Sequence, residues 1–299
     1  MWLSFTGLAA TALAQLLAVY LSGSVALFAD TVHNFGDATT AIPLWVAFSL
    51  AARRPSRRFT YGYGRMEDLA GAAIVLIVLL SAALAGYESI RRLLDPEPVH
   101  NLWAVAIAAL IGLLGNEAVA RFRIRVGREI GSAALVADGY HARADGLTSL
   151  SVLLGAVGLW AGIPILDPIV GLLIAGMILR IVWDSGRIVL TRLLDGVEPH
   201  LVEQIEDVAR ETPGVREVGQ VRLRWLGHRL HAEVNLSVDP RLSVERGHDV
   251  AQEVRHRLLH RLEHLAYTTI HIDPDGSAGE EHHHVPLHSH DDLPPHSHP

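Results

Sequence analysis

The sequence of 299 residues contains no cysteine and no lysine, and only 19% of its residues are charged. The absence of cysteine excludes disulfides and thiolate ligands, so any bound metal has to be held by nitrogen and oxygen. All 25 basic residues are arginine, and they form no basic face for nucleic acid, which is not an expected partner. The sequence has instead 50% hydrophobic residues and 18 histidines. This composition is typical of a membrane protein.

Six apolar segments are each long enough to cross the roughly 30 Å hydrocarbon core of a bilayer, which takes about 20 helical residues. They are Trp2–Leu21, Val25–Leu50, Leu69–Leu94, Leu102–Ala120, Ala133–Ala161 and Ile165–Val189. The first has no basic residues before it and no small-residue cleavage site, so we interpret it as a retained helix rather than a signal peptide. The pattern predicts a six-helix transmembrane domain over residues 1–197.

Arginine placement predicts the orientation of these segments, because cytoplasmic loops of membrane proteins collect positive charge. The links after the second and fourth segments contain Arg53, Arg54, Arg57, Arg58, Arg65, Arg121, Arg123, Arg125 and Arg128. The links after the first and fifth segments contain no arginine. Both termini are therefore expected in the cytoplasm. Arg91 and Arg92, near the end of the third segment, argue against this orientation, although Asp95 and Glu97 follow closely.

Residues 198–275 have the composition of a soluble domain. Helical spacing and strand-like alternation follow each other in the order α-β-β-α-β, which predicts a small two-layer sandwich. Residues 276–299 are rich in histidine, glycine, serine, proline and acidic residues and have no apolar periodicity. We predict a disordered tail there, either a loose metal buffer or a segment without a role for its histidines.

A repeat in the second and fifth segments points to the chemistry. Residues 29–37 and 137–145 both read A-D-x-x-H-x-x-x-D. Histidine and aspartate four residues apart project from one face of a helix. Two such helices that face each other would offer two imidazoles and two carboxylates to one ion. The candidate ligands are His33, Asp37, His141 and Asp145.

This ligand set suits zinc, which accepts tetrahedral ligation by histidine and aspartate, whereas calcium and magnesium prefer six or more oxygens. Cobalt, cadmium, iron(II) and nickel stay open, since their ligand preferences overlap with those of zinc. One H-x-x-x-D pattern would be a surface ion pair in most helices. An ionised aspartate inside a membrane helix costs about 2.5 to 3.5 kcal/mol on insertion scales, which favours a functional reading of two copies.

Two other classes of protein would also place metal ligands here. An intramembrane zinc hydrolase needs a general base of the H-E-x-x-H type, and the sequence contains no such motif. A membrane-anchored metal sensor would account for the soluble domain and the tail. It would have no use for a ligand set inside the membrane, and metal flux in vesicles separates it from a transporter.

Three motifs together resemble the cation diffusion facilitator family: the repeated A-D-x-x-H-x-x-x-D, the stretch Phe59–Arg65 and the ending Ile270–Pro274. The resemblance implies a homodimeric, proton-coupled exporter of zinc in a bacterial inner membrane, with a cytoplasmic ferredoxin-like domain. It assigns the four ligands above to the transport site. We hypothesise that zinc displaces a proton from His33 or His141, because histidine binds metal only when neutral.

The resemblance also implies weaker assignments. Arg65 and Asp195 correspond to a charge interlock between the third and sixth helices, or are solvated loop charges. Phe59 and Tyr63 replace the ligands of a further zinc site, which is therefore not expected. The expected cytoplasmic metal ligands are His248, His271 and Asp273. Gly219 and Asn235 stand where relatives have histidine, and His231 is the residue we expect to compensate.

Overall fold

The computed structural model describes residues 41–95, 102–276, 285–290 and 293–298. The first predicted apolar segment and most of the second lie outside these residues. The chain divides into two compact units, one up to Leu193 and one from Leu194 onward.

The described part of the first unit contains five helices: α1 (Ala41–Ala51), α2 (Arg65–Leu94), α3 (Leu102–Glu129), α4 (Ala133–Trp160) and α5 (Leu166–Leu193). Helix α1 is the end of the second predicted segment, and α2 to α5 correspond to the third to sixth. Helices α2, α3 and α5 are long and apolar enough to cross a membrane. Helix α4 has the same 28-residue length as α3 and α5 and carries Asp138, Arg143 and Asp145 among its apolar residues.

The prediction of a basic loop after the fourth segment was wrong. Helix α3 continues to Glu129 instead of ending at Ala120, so the four arginines between 121 and 128 are helical. Arginine is a good helix former, and a helix needs apolar side chains only where it crosses hydrocarbon. Arg123 also points inward, with 3% of its surface exposed. Helix α2 likewise begins at Arg65 rather than at Leu69.

Helices α3 and α4 approach each other closely because small residues line their contact. A Cβ atom at Gly139 of α4 would lie 2.6 Å from Ile124 Cγ1 and 2.9 Å from Ile124 N of α3. Only glycine fits at that point, as in other membrane helices that pack through small residues. The close approach places the first half of the α4 motif directly against α3.

The second unit contains α6 (Pro199–Arg210), β1 (Glu217–Leu226), β2 (Arg229–Val238), α7 (Val244–Arg261) and β3 (Leu265–Pro274), the order predicted from the sequence. The strands form one sheet in the order β1-β2-β3, with β1 antiparallel and β3 parallel to β2. Alternate residues of β2 are all buried, as the alternation predicted: Leu230, Ala232, Val234, Leu236 and Val238.

Leu258 of α7 tests this core, because it is fully buried among residues of both helices and the sheet. We expect Leu258→Ala to lower the free energy of unfolding of a fragment spanning residues 194–299 by about 2 to 5 kcal/mol, since it leaves a cavity. Urea unfolding measures this change. The matched control is Leu259→Ala, because Leu259 is 40% exposed. Equal losses in the two variants would contradict the described packing.

Two short strands lie within the histidine-rich residues 276–299, β4 (Val285–His290) and β5 (Leu293–His298), and they pair antiparallel. Backbone hydrogen bonds between two such strands do not depend on apolar side chains, which are scarce here. The disorder expected from the composition of this segment stays a prediction.

Candidate metal site in the membrane domain

Helix α4 places His141 and Asp145 one turn apart on its buried face. His141 is 2% exposed and Asp145 is 8% exposed. The distance from His141 Nδ1 to Asp145 Oδ2 is 3.8 Å. Two ligand atoms of a tetrahedral zinc ion with bonds of about 2.0 to 2.1 Å lie roughly 3.3 Å apart. The pair therefore lies near the separation that one zinc ion requires.

The other predicted ligands, His33 and Asp37, lie outside the described residues, and their part in the site stays a prediction. Helix α1 continues the segment that contains them. Leu44 of α1 is fully buried in the same core cluster as Ala137 and Ala144 of α4. The chain that follows Asp37 thus packs on the helix that carries His141 and Asp145.

Asp138, the first aspartate of the α4 motif, belongs to a buried ion pair that sequence reasoning missed. Arg123 Nη1 of α3 lies 2.8 Å from Asp138 Oδ2, and the two side chains are 3% and 1% exposed. In the sequence, Asp138 was recognised only as a repeated position of the motif. Arg123 was predicted to lie in a loop. The helical spacing of Arg121, Arg123, Arg125 and Arg128 does not reveal which arginine turns inward.

Arg143 lies between the two predicted ligands in sequence and pairs with the same neighbouring helix. Its Nε and Nη2 atoms donate hydrogen bonds to the two carboxylate oxygens of Glu117 of α3, both at 3.2 Å. Arg121 also donates to Glu117, at 2.8 Å. The charged residues of the motif that are not predicted ligands, Asp138 and Arg143, are therefore both tied to α3.

A second group of charges joins the start of α2 to α4 and α5. Ser132, the N-cap of α4, donates a hydrogen bond to Glu67, which is buried. Arg65 Nη1 donates to the carbonyl of Arg192 at 2.8 Å, and it lies 3.8 Å from Asp68 Oδ2. Arg65 is therefore a helical residue with partners in its own unit. The predicted interlock with Asp195, which belongs to the second unit, stays a prediction.

The cytoplasmic candidates are only partly brought together. His271 Nε2 lies 3.0 Å from Asp273 Oδ1 on β3, as the alternation of the strand predicted. His248, on α7, has its Nε2 atom 2.8 Å from the side-chain nitrogen of Gln252. Among the described residues, no three histidine, aspartate or glutamate side chains form a group that could hold a metal ion.

The sheet register explains why the cytoplasmic set is sparse. Asn235 is paired with His271, and a Cβ atom at Gly219 would lie 3.5 Å from Asn235 Cβ. These three positions form one row across the sheet, and among them only His271 offers an imidazole. His231 is paired with Tyr267, four residues before His271, which is about 13 Å along the strand. His231 therefore does not join that row.

Burial lowers the pKa of the His231 imidazole below its usual 6.5, and the nearby Arg224 and Arg229 lower it further. The folded unit thus binds a proton at His231 less readily than the unfolded chain does. By linkage, the neutral His231 therefore contributes stability that is complete above the pKa of the unfolded chain and is lost as the pH falls below that pKa.

We expect the NMR titration of His231 in the 194–299 fragment to have a lower midpoint than in the same fragment unfolded in urea. His231→Gln should accordingly reduce the gain in unfolding free energy between about pH 5 and 7. A midpoint in the folded fragment at or above the unfolded value would contradict the burial described for this side chain.

Comparisons with known proteins agree with both units. The family model described as the cation efflux transmembrane domain matches residues 1–194, and the model for the cytoplasmic domain of cation efflux proteins matches residues 197–275. A probable cation efflux system protein of Mycobacterium tuberculosis (strain CDC 1551 / Oshkosh) is 52% identical over 272 residues, which cover 91% of this chain and 82% of that protein.

Two further relatives are more distant. The magnetosome protein MamB of Paramagnetospirillum magneticum is 26% identical over 278 residues, with 93% of this chain and 94% of that protein covered. The manganese efflux system protein MneP of Bacillus subtilis (strain 168) is 26% identical over 259 residues, with 84% of this chain and 87% of that protein covered. The similarity to each of these relatives therefore extends over most of both chains.

Proposed function

Because this chain belongs to the cation diffusion facilitator family of cation efflux proteins, we propose that it exports zinc from the cytoplasm in exchange for protons. The observation that supports this most directly is the buried His141–Asp145 pair on α4, 3.8 Å apart. A histidine and a carboxylate enclosed in a membrane domain are costly unless they bind something. The matching pair, His33 and Asp37, completes the proposed site.

The choice of zinc rests on the ligand types. Two imidazoles and two carboxylates provide a closed set of two nitrogens and two oxygens, which suits zinc, with cobalt, cadmium, iron(II) and nickel as the nearest competitors. Manganese, which the relative MneP is named for, prefers sites made of oxygen. Two histidines in the proposed set therefore favour zinc over manganese.

Export needs an energy source, because moving two charges outward against an inside-negative potential of 100 mV costs roughly 4.6 kcal/mol. Proton entry supplies it in this proposal. Histidine binds metal only in its neutral form, so zinc entering from the cytoplasm displaces a proton from His33 or His141. A proton arriving from the outer side then helps to release the metal.

The proposed architecture is a homodimer in a bacterial inner membrane, with six membrane helices, cytoplasmic termini and a ferredoxin-like cytoplasmic domain. The arginines at 53–65 support this orientation. Arg92, which argued against it, lies 3.1 Å from Glu88 and 3.3 Å from Asp167 of α5. Its charge is therefore balanced within the membrane unit where it lies.

Zinc uptake into everted or reconstituted vesicles with an imposed pH gradient tests the proposal. We expect zinc uptake to stop when the gradient is collapsed. We also expect cadmium to inhibit this uptake more strongly than manganese does. Uptake that does not depend on the gradient would contradict the proposed coupling to protons. Absence of flux, with zinc still bound by the purified chain, would favour the membrane-anchored sensor.

A further inference from the structure

Arg123 and Asp138 form a buried ion pair beside the proposed ligands. Asp138, His141 and Asp145 follow each other at spacings of three and four residues, so all three side chains lie on one face of α4. Arg123 reaches this face from α3, with its Nη1 atom 2.8 Å from Asp138 Oδ2. A third carboxylate thus lies one turn from His141, with a guanidinium group held against it.

The other oxygen of this carboxylate, Asp138 Oδ1, is buried and has no hydrogen-bond partner among the residues that the structure describes. A buried carboxylate oxygen without a donor is rare, because the loss of its hydration is costly. Arg123, 2.8 Å from the other oxygen, is thus the ion-pair partner that compensates the charge of Asp138. Without Arg123, this buried carboxylate would keep its negative charge close to the proposed site without an ion-pair partner.

Packing alone does not explain the pair. The contact between α3 and α4 is already close at Gly139, and Glu117 with Arg143 provides a second ion pair between the same helices. Replacing a buried ion pair by apolar residues is often neutral or stabilising, so such pairs are poor devices for stability. A role in the charge of the neighbouring site accounts for its position.

We propose that Arg123 is a positioning residue for transport, which holds Asp138 out of the cation's ligand set and balances its charge. This inference rests on the proposed function. The two carboxylates of the proposed site, Asp37 and Asp145, match the charge of a divalent cation. A third, uncompensated carboxylate at Asp138 would bind the cation more tightly and slow its release. Arg123 thus keeps the affinity of the site low enough for the cation to be released.

The test is a double-mutant cycle on the full chain in detergent and in vesicles. Zinc binding is measured by competition with a chromophoric chelator, and KM and maximal flux are measured by zinc uptake. We expect R123Q to lower the dissociation constant and KM for zinc by at least about tenfold and to reduce maximal flux. D138N leaves an uncompensated arginine, and we expect it to raise both constants by a similar factor.

The double variant R123Q/D138N removes both charges and should return the constants most of the way to those of the native chain. R123K, which keeps the charge, should shift KM less than R123Q does. The matched control is R180Q, because Arg180 is also paired with an aspartate, Asp184 at 3.0 Å, but both side chains are exposed. R180Q should leave zinc binding unchanged.

Shifts of the dissociation constant in the same direction in R123Q and D138N would overturn the proposal. A double variant that binds zinc more weakly than both single variants would also overturn it. If R123Q alone fails to fold, D138N against the double variant decides, since the proposal requires the double variant to bind zinc more tightly than D138N does. Binding is measured without a gradient. A native chain that binds zinc but does not carry it would refute the proposed export and still test Arg123.

Discussion

Replacing Asp145 by asparagine is expected to reduce zinc flux by more than the roughly 10- to 100-fold that the loss of an outer-shell partner of a metal site costs. Asparagine keeps the size of the side chain but removes the charge that a divalent cation requires. Asp145 is 8% exposed and lies 3.8 Å from His141, so its carboxylate is enclosed at the proposed site. Initial rates of zinc uptake into vesicles at a fixed pH gradient measure the loss.

The control for this experiment is Asp184→Asn, because Asp184 is also an aspartate of the membrane unit, on α5, but its side chain is 55% exposed and paired with Arg180. We expect its zinc flux to stay close to that of the native chain. Flux that survives in Asp145→Asn would show that the ligand set is wrong. A similar loss in both variants would point to a general defect of the membrane unit rather than to a site.

The proximity of His141 and Asp145 on α4 could be predicted from the sequence because helix geometry is local. Four residues advance a helix by slightly more than one turn, so His141 and Asp145 had to share a face wherever the helix packs. The burial of alternate residues in β2 follows from the period of a strand in the same way. Both predictions needed only the residues of one element.

The ion pair of Arg123 with Asp138 could not be predicted by the same reasoning. It depends on how far α3 continues after its apolar stretch and on which side α4 packs against it. Both are tertiary properties. The two helices come close at Gly139, where an added Cβ atom would lie 2.9 Å from the backbone nitrogen of Ile124. An arginine that follows an apolar segment resembles a loop charge until its partner is known.

The sheet of the second unit shows the same limit of prediction from the sequence. His231 and His271 both lie on strands, and the sequence indicates nothing about which residues stand side by side. The parallel register of β2 and β3 pairs His271 with Asn235 and His231 with Tyr267. Register depends on contacts between strands that are far apart in the chain, so compensation by His231 could be judged only from the structure.

Replacing His141 by aspartate is the second change for which we expect a large effect, on which metal is carried. The variant exchanges an imidazole nitrogen for a carboxylate oxygen, and manganese prefers such oxygen ligands more than zinc does. The ratio of zinc to manganese flux should therefore fall by about tenfold or more, which corresponds to a change of about 1.4 kcal/mol in the relative binding free energy of the two metals.

Competition uptake with both metals in the same vesicles measures the ratio without depending on protein yield. The control is His200→Asp, because His200 lies at the exposed start of α6, outside the membrane unit, and should leave the ratio unchanged. A ratio that is unchanged in His141→Asp while total flux persists would mean that His141 does not bind the transported ion. The remaining argument for zinc would then rest on His33 alone, and one imidazole among carboxylates no longer favours zinc strongly over manganese.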